Sequence, residues 1–307
     1  MFINVLTQVI ILFILILIGF ALAKSKILND EAVRGMTDFV LILVTPCVIV
    51  KSFFREFNKS DLKDLLISFL LGVILHTAFI LLSTLFLKDK NKNRQVVLQY
   101  AAVFSNCGFM AIPLQQALLG DNGVFLGSSF VAIFNAFVWS WGVRVMSGDK
   151  KSLKPLKIIT RPAILALIIG LIVFLLSIPV PKIVAEPVGM LAALNTPLPM
   201  IIIGFHLASS NVLKGVADIK CISTILLRLV VYPAAAIVGM WLCGIKGNML
   251  ISQAICCAAP VAAVTTMFSA KYNRNTELSV NLVSLSTLLS LITMPAMIIF
   301  AEKLANL

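Results

Sequence analysis

Long apolar stretches alternate with short polar ones along the whole chain. A helix needs about 20 apolar residues to cross a bilayer. Ten stretches reach that length, at roughly 5–23, 36–54, 62–87, 95–117, 122–146, 161–179, 187–208, 219–243, 249–270 and 278–301. The longest polar stretch, about 147–160, lies near the middle. The pattern predicts an all-α polytopic membrane protein of ten transmembrane helices. Five lie in residues 1–146 and five in 161–307, joined by a loop at 147–160. Lys24 and Lys26 follow the first stretch, which has no basic leader and no small-residue cleavage site, so it reads as a retained helix.

The two fives share markers. Val44-Thr45-Pro46 in the second stretch matches Asn195-Thr196-Pro197 in the seventh, Asp61-Leu62-Lys63 matches Asp218-Ile219-Lys220, and Gln99 matches Gln253. The offsets are 151, 157 and 154, in the same order along the chain. Five is odd, so the second half must enter the bilayer from the opposite side. The expectation is an inverted repeat, a build frequent among secondary transporters.

Composition supports the membrane and removes other classes. The chain is 60% hydrophobic and 12% charged, with a mean hydropathy of +1.04. A soluble domain is about a quarter charged. An apolar outer surface is tolerated when lipid covers it. The net charge of +12 sits in short loops with no interleaved aromatics, so a nucleic-acid partner is not expected. One set of loops holds 17 basic residues and the opposite set 7. That bias puts the richer set, with the middle loop, in the cytoplasm and both termini outside, in a cell membrane. The six cysteines show no metal-ligand spacing and read as free thiols, with no metal and no cofactor expected.

Candidate chemistry lies in the fourth and ninth stretches. The fourth reads Asn106-Cys-Gly-Phe-Met-Ala-Ile-Pro113, in which Gly108 weakens a helix and Pro113 removes a backbone donor. Carbonyls freed in lipid need a protein partner, a water or a ligand. Seven residues make about two helical turns, so Asn106 can face the same side as Pro113, offering a donor and an acceptor. In the ninth, Pro260 aligns with Asn106 by the repeat offset, and Thr265 adds a hydroxyl. Half-helix N-termini at matched interruptions suit a carboxylate. Plain proline kinks are the alternative. Arg228 falls inside the eighth stretch and either binds an anion or bonds backbone carbonyls. His76, in the third, either carries a coupling proton or stays neutral and hydrogen-bonded. No carboxylate falls at mid-stretch, and no Walker, HExxH or GxSxG sequence occurs, so an enzyme is not expected.

The string Asn106 to Pro113, the Ala-Pro260 followed by Ala270-Lys271-Tyr272-Asn273, and Gly19-Phe20 with Ile27-Leu28 resemble the auxin efflux carrier family, across essentially the whole chain. The resemblance implies two inverted five-helix halves whose broken helices 4 and 9 cross at mid-membrane, with Asn106, Pro113 and Pro260 at the crossing. It also implies efflux of a small organic anion, such as a mono- or dicarboxylate, by alternating access. A homodimer is one assembly to test. The short middle loop lacks the long hydrophilic insert of the plant proteins, which points away from auxin itself. The competing expectations are a sodium-coupled uptake symporter and a non-transporting membrane receptor.

Overall fold

A computed structural model describes residues 2–148, 160–208 and 212–307. The middle-loop residues 149–159, with Lys150, Lys151, Lys154 and Lys157, lie outside the described residues. The described chain is helical, with no strand beyond one isolated bridge. The helices are α1 Phe2–Lys24, α2 Asp30–Ser52, α3 Lys59–Phe86, α4 Lys92–Val103 and α5 Cys107–Ser147. They continue with α6 Pro162–Leu175, α7 Lys182–Ala193, α8 Pro197–Ala208 and α9 Val212–Ala217. The last are α10 Ile219–Leu242, α11 Gly247–Ala258, α12 Val264–Lys271 and α13 Thr276–Ala305. Among the described residues, seven units are long and apolar enough to cross a membrane: α1, α2, α3, α5, α7 with α8, α10 and α13. Their outward side chains include Ile14 and Leu17 on α1, Leu66 and Leu70 on α3, and Ile292 on α13, all exposed. An apolar outer surface of this extent belongs in lipid, making the chain a multi-pass membrane protein.

Three prolines of the long helices share one local device, whereas Pro187 and Pro295 lie inside helices without it and the π turn at Val138–Gly142 precedes no proline. A proline ring clashes with the carbonyl four residues back. A π-helical turn widens the spacing to five and moves that carbonyl away. Such turns at Val40–Val44, Cys107–Ala111 and Leu227–Val231 each end two residues before a proline: Pro46, Pro113 and Pro233. The helices therefore pass these prolines with a local bulge rather than a break.

α5 is 41 residues long, but it does not run straight. Gly120 has φ 63° and ψ −156°, a conformation that a side chain would strain. A Cβ added at Gly127 would stand 2.3 Å from Gln115 Oε1. In a straight helix these residues would be about 18 Å apart. The chain therefore turns back at Gly120, and the arm from Asp121 packs on the arm ending at Leu119. The spacing Gly123-x-x-x-Gly127 makes room for Gln115 and Leu119 of the same hairpin.

The core divides into two apolar clusters. The smaller joins α1, α2 and α8 through Leu12, Ile16, Val40, Val44, Met200 and Ile203, and Phe109 and Met110 of α5 insert into it. Here α1 and α8 touch backbone to backbone. A Cβ at Gly19 would lie 2.2 Å from the Ile201 carbonyl oxygen, and one at Gly204 would lie 2.0 Å from that of Ile16. Small residues permit such approach in membranes, where packing rather than water exclusion joins helices. The larger cluster holds α3, α4, the rest of α5, α6 and α10 to α13, with Val9 of α1 and Val48 and Ile49 of α2.

Ion pairs of the described residues join loops of the same predicted side. Arg94 meets Asp218 at 2.5 Å and Asp89 at 3.4 Å, and Lys220 meets Asp89 at 3.3 Å. On the other side, Lys51 lies 3.9 Å from Asp121 and Arg55 3.4 Å from Asp61.

Candidate functional site: a crossing of two interrupted helices

α4 ends at Val103 and α5 begins at Cys107; α11 ends at Ala258 and α12 begins at Val264. The two gaps meet. Ser105 and Val261 form an antiparallel bridge, with Asn106 N donating to Pro260 O at 2.7 Å and Ala262 N to Phe104 O at 2.9 Å. The Val261 N–H donates to Ser286 Oγ of α13 at 3.1 Å. An interruption in lipid leaves polar backbone that water cannot satisfy. These two gaps satisfy each other, and Asn106 and Pro260 are bonded neighbours.

The interruption also creates four helix ends, whose last carbonyls and first N–H groups lack intrahelical partners. Arg228 of α10 serves the carbonyl ends. Its side chain is fully buried. Nη1 donates to Ala102 O at 3.3 Å and Val103 O at 3.2 Å, Nε to Ala259 O at 3.3 Å, and Nη2 to Cys257 O. One cation thus bonds carbonyls at the ends of both α4 and α11. Each helix C-terminus carries about half a negative charge, so one guanidinium balances the pair. Of the two uses the sequence left open for Arg228, the geometry shows the bond to backbone carbonyls.

The N-terminal ends differ. At α12, Thr265 N and Thr266 N bond back to Ala262 and Ala263 carbonyls. At α5, Met110 N bonds Asn106 O, and no side chain caps the helix. Gly108 is partly exposed, and a Cβ added there would meet nothing within 4 Å. The first turn of α5 therefore borders open space. No Asp or Glu stands among the residues of either gap.

Among the other expected residues, Pro113 lies in α5 just after the π turn, so it is set by that bulge. The turn also removes the premise that seven residues from Asn106 to Pro113 make two regular turns. Thr265 is buried and its hydroxyl has no partner, as are those of Ser105, Ser269 and Tyr100. His76 lies outside the gaps. Its Nδ1 is 2.8 Å from Gly72 O, which can only accept, so Nδ1 carries the proton. The ring stacks on Phe137 at 5.4 Å and tilts against Phe130 at 4.7 Å and Phe104 at 6.3 Å. Asn135 and Thr287 each bond a carbonyl of their own helix, at 2.8 and 2.7 Å.

Two features escaped the sequence. Ser286 is one of several hydroxyl residues on α13, with nothing to mark it out. Asn195, between α7 and α8, accepts from Thr45 Oγ1 at 3.0 Å, and its Nδ2 is buried with no acceptor. Its signal was present, because Thr45 and Asn195 sit in the paired proline motifs of the two halves. A surface cavity of about 390 Å³ beside Lys24, Lys26, Asn29 and Asp30 contains none of the expected site residues.

Two meeting interruptions inside an apolar helical body are a feature of transporters more than of any soluble class. A family model described as "Membrane transport protein" matches residues 4–157 and 151–298. The chain belongs to that family, the auxin efflux carrier-like membrane transporters. It is 23% identical over 286 residues to an uncharacterized transporter of Methanothermobacter thermautotrophicus, covering 92% of this chain and 93% of the relative. It is 25% identical over 308 residues to an uncharacterized transporter of Methanocaldococcus jannaschii, covering 92% and 94%. Family and relatives are transporters, not enzymes.

Proposed function

We propose that this transporter carries a small organic anion, such as a mono- or dicarboxylate, outward by alternating access, with the anion bound beside the crossing. The observation that carries the reading is the unequal treatment of the helix ends. Arg228 balances the two negative ends, and the two positive ends are left without a carboxylate. The surplus at the crossing is positive, and helix N-termini bind anions readily. Asn106, Gly108, Pro113, Pro260 and Thr265 form the binding surface in this reading. Asn195 adds an unpaired amide N–H group. We assign Arg228 to the helix ends rather than to the substrate. The ring packing of His76 among phenylalanines suits a neutral imidazole better than a proton carrier.

The ten-span inverted repeat belongs to the same proposal. The hairpin at Gly120 supplies two spans, and α4 with the outgoing arm of α5 mirrors α11 with α12. The backbone-locked pair α1 and α8, with α2, would be the scaffold, and the crossing and its neighbours the moving body. The test is counterflow in proteoliposomes against a panel of small carboxylic acids and neutral analogues. Accumulation of at least one acid, reduced in Asn106→Ala, is the expected result. Ligand binding without any flux would favour the receptor reading.

A further inference from the structure

Three buried phenylalanines from three parts of the chain meet where α2 stops. Phe53 follows α2, Phe125 lies on the outgoing arm of α5, and Phe174 lies in the last turn of α6. The ring centroids are 4.9 Å apart for Phe53 and Phe125, 5.5 Å for Phe125 and Phe174, and 6.4 Å for Phe53 and Phe174. Each spacing is that of a favourable tilted or edge-on pair. The triangle is closed, and none of its members is more than 1% exposed. Charged groups cover it on the side that the basic-residue bias places outside. The Arg55 guanidinium sits over the Phe125 ring, 4.3 Å from its centroid. Its Nη1 lies 3.4 Å from Asp61 Oδ2 of α3 and donates to Asn122 Oδ1 of α5 at 3.2 Å. Lys51, one turn earlier, lies 3.9 Å from Asp121 of α5. The Asp61 and Asp121 side chains are 31% and 50% exposed, so water reaches the cover but not the rings.

The triangle is held differently on its two sides. Towards α6, Phe53 rests on bare backbone, because a Cβ at Gly170 would stand 2.7 Å from its ring. Phe57 N also donates to Ser177 Oγ, just past α6, at 3.0 Å. These contacts tie α2 and α6 into one unit. Towards α3 and α5 the partners are side-chain tips: a ring, an amide and two carboxylates. The glycines of α5 do not bring its backbone against α2 or α6; Gly123, Gly127 and Gly142 are filled by Leu119, Gln115 and Tyr100. Side-chain tips can part without tearing main-chain contacts. At the opposite end, the ion pairs of Arg94 and Lys220 stay within the α3–α4 connection and the start of α10. There α6 meets α5 through Arg161, which lies over the Trp139 ring at 3.2 Å. Among the described residues, the ion pairs that bridge the end of α2 to α3 and α5 are therefore those of the outer end.

We propose that the phenylalanine triangle, with its cover of Arg55 and Lys51, is an outer gate, closed in this structure, that parts at Phe125 when α3 and α5 shift against α2 and α6. The proposal rests on the alternating-access reading. A gate closed on the outer side lets an exported anion load from the cytoplasm. The test ties the gate shut. Lys51→Cys and Asp121→Cys are combined in the full chain and joined by a short bifunctional methanethiosulfonate reagent, whose disulfides a reductant reopens. Mass spectrometry should find the tie, and failure to form it would overturn the proposal. Tying is expected to lower counterflow of the transported acid at least about tenfold, with recovery in reductant. Wild type and each single variant, treated alike, should keep their rates. A tied protein that transports at the untied rate would overturn the gate and leave the transport reading standing. No flux in the untied protein or in wild type would overturn that reading, and the gate with it. Arg55→Gln loosens the cover and leaves the rings in place. In right-side-out vesicles it should lower the half-saturating concentration of external acid about two- to fivefold, because the outward-open fraction rises. The maximal rate should not fall. An unchanged or raised half-saturating concentration would overturn the gate, and a raised value with a lower rate would make Arg55 structural.

Discussion

At the crossing, the carbonyls that end α4 and α11 converge on Arg228, whereas the gaps and first turns of α5 and α12 contain no Asp or Glu. The two sides are made of the same kind of backbone and differ only in what the surrounding helices offer. On the carbonyl side a permanent cation is built into the fold. On the N–H side the fold supplies partly exposed space at Gly108 and an amide at Asn106. The contrast teaches that an interrupted helix in lipid need not be a ligand site at both of its ends. One side can be closed by the protein, and that closure sets the sign of charge the other side prefers.

The contrast can be broken most directly at Arg228. Arg228→Met takes the guanidinium donor from four carbonyls, those of Ala102, Val103, Cys257 and Ala259, and stranding buried partners of a charged group costs about 3–5 kcal/mol. Size-exclusion profiles in detergent should show loss of the monodisperse species, with Arg228→Lys retaining part of it. A methionine variant with wild-type melting would remove the basis of the comparison. Next in size, Asn106→Ala should weaken substrate affinity by about 10- to 100-fold, the worth of one hydrogen bond to a charged group. Its melting temperature should stay near that of the wild type. Concentration-dependent counterflow and a melting curve on one preparation decide this, and parallel loss of both would make Asn106 structural.

Gly108→Val sharpens the contrast further. Its side chain would enter open space, so stability should change by less than about 1 kcal/mol while transport falls severalfold. Unchanged flux would show that the space beside α5 is not the substrate's.

The smallest effect lies outside the membrane and serves as a control. Partial burial pushes the Asp218 carboxyl up, but hydrogen bonds from Arg94 and from the Cys221 and Lys220 N–H groups outweigh it, leaving it below the usual carboxylate value. A lowered folded pKa contributes stability above the unfolded pKa and loses it as pH falls through the folded one. Asp218→Asn should therefore cost at most about 1 kcal/mol at pH 7, the scale of a partly exposed pair. The difference should shrink as pH falls below the usual carboxylate range, with substrate affinity unaltered throughout. A change in affinity would mean that the crossing feels loops far from it.

Much of the architecture was legible because lipid makes strong demands on composition. Long apolar runs marked the helices, and the matched prolines and glutamines pointed to the two interruptions. Asn106 and Pro260 were placed together by the repeat offset, and they share a hydrogen bond. What periodicity could not reach was the π turn between Asn106 and Pro113. It assumes 3.6 residues per turn, and a single inserted residue breaks it. Arg228 stayed ambiguous for a different reason. Its partners are backbone carbonyls from two other helices, and backbone groups leave no mark in a sequence. The hairpin at Gly120 was legible only as a short gap between two apolar stretches.

The contact of α1 with α8 has a mechanical consequence. At Gly19 and Gly204 the two helices meet main chain against main chain, with no side chain between them to bend or rotate. Such a joint is stiff, and sliding along it would force atoms through one another. Phe109 and Met110, which bring the crossing against that same pair, touch it through long side chains with rotatable bonds. We expect the molecule to behave as a weld beside a greased bearing: motion during a transport cycle should be felt at Phe109 and Met110 and not at the glycines.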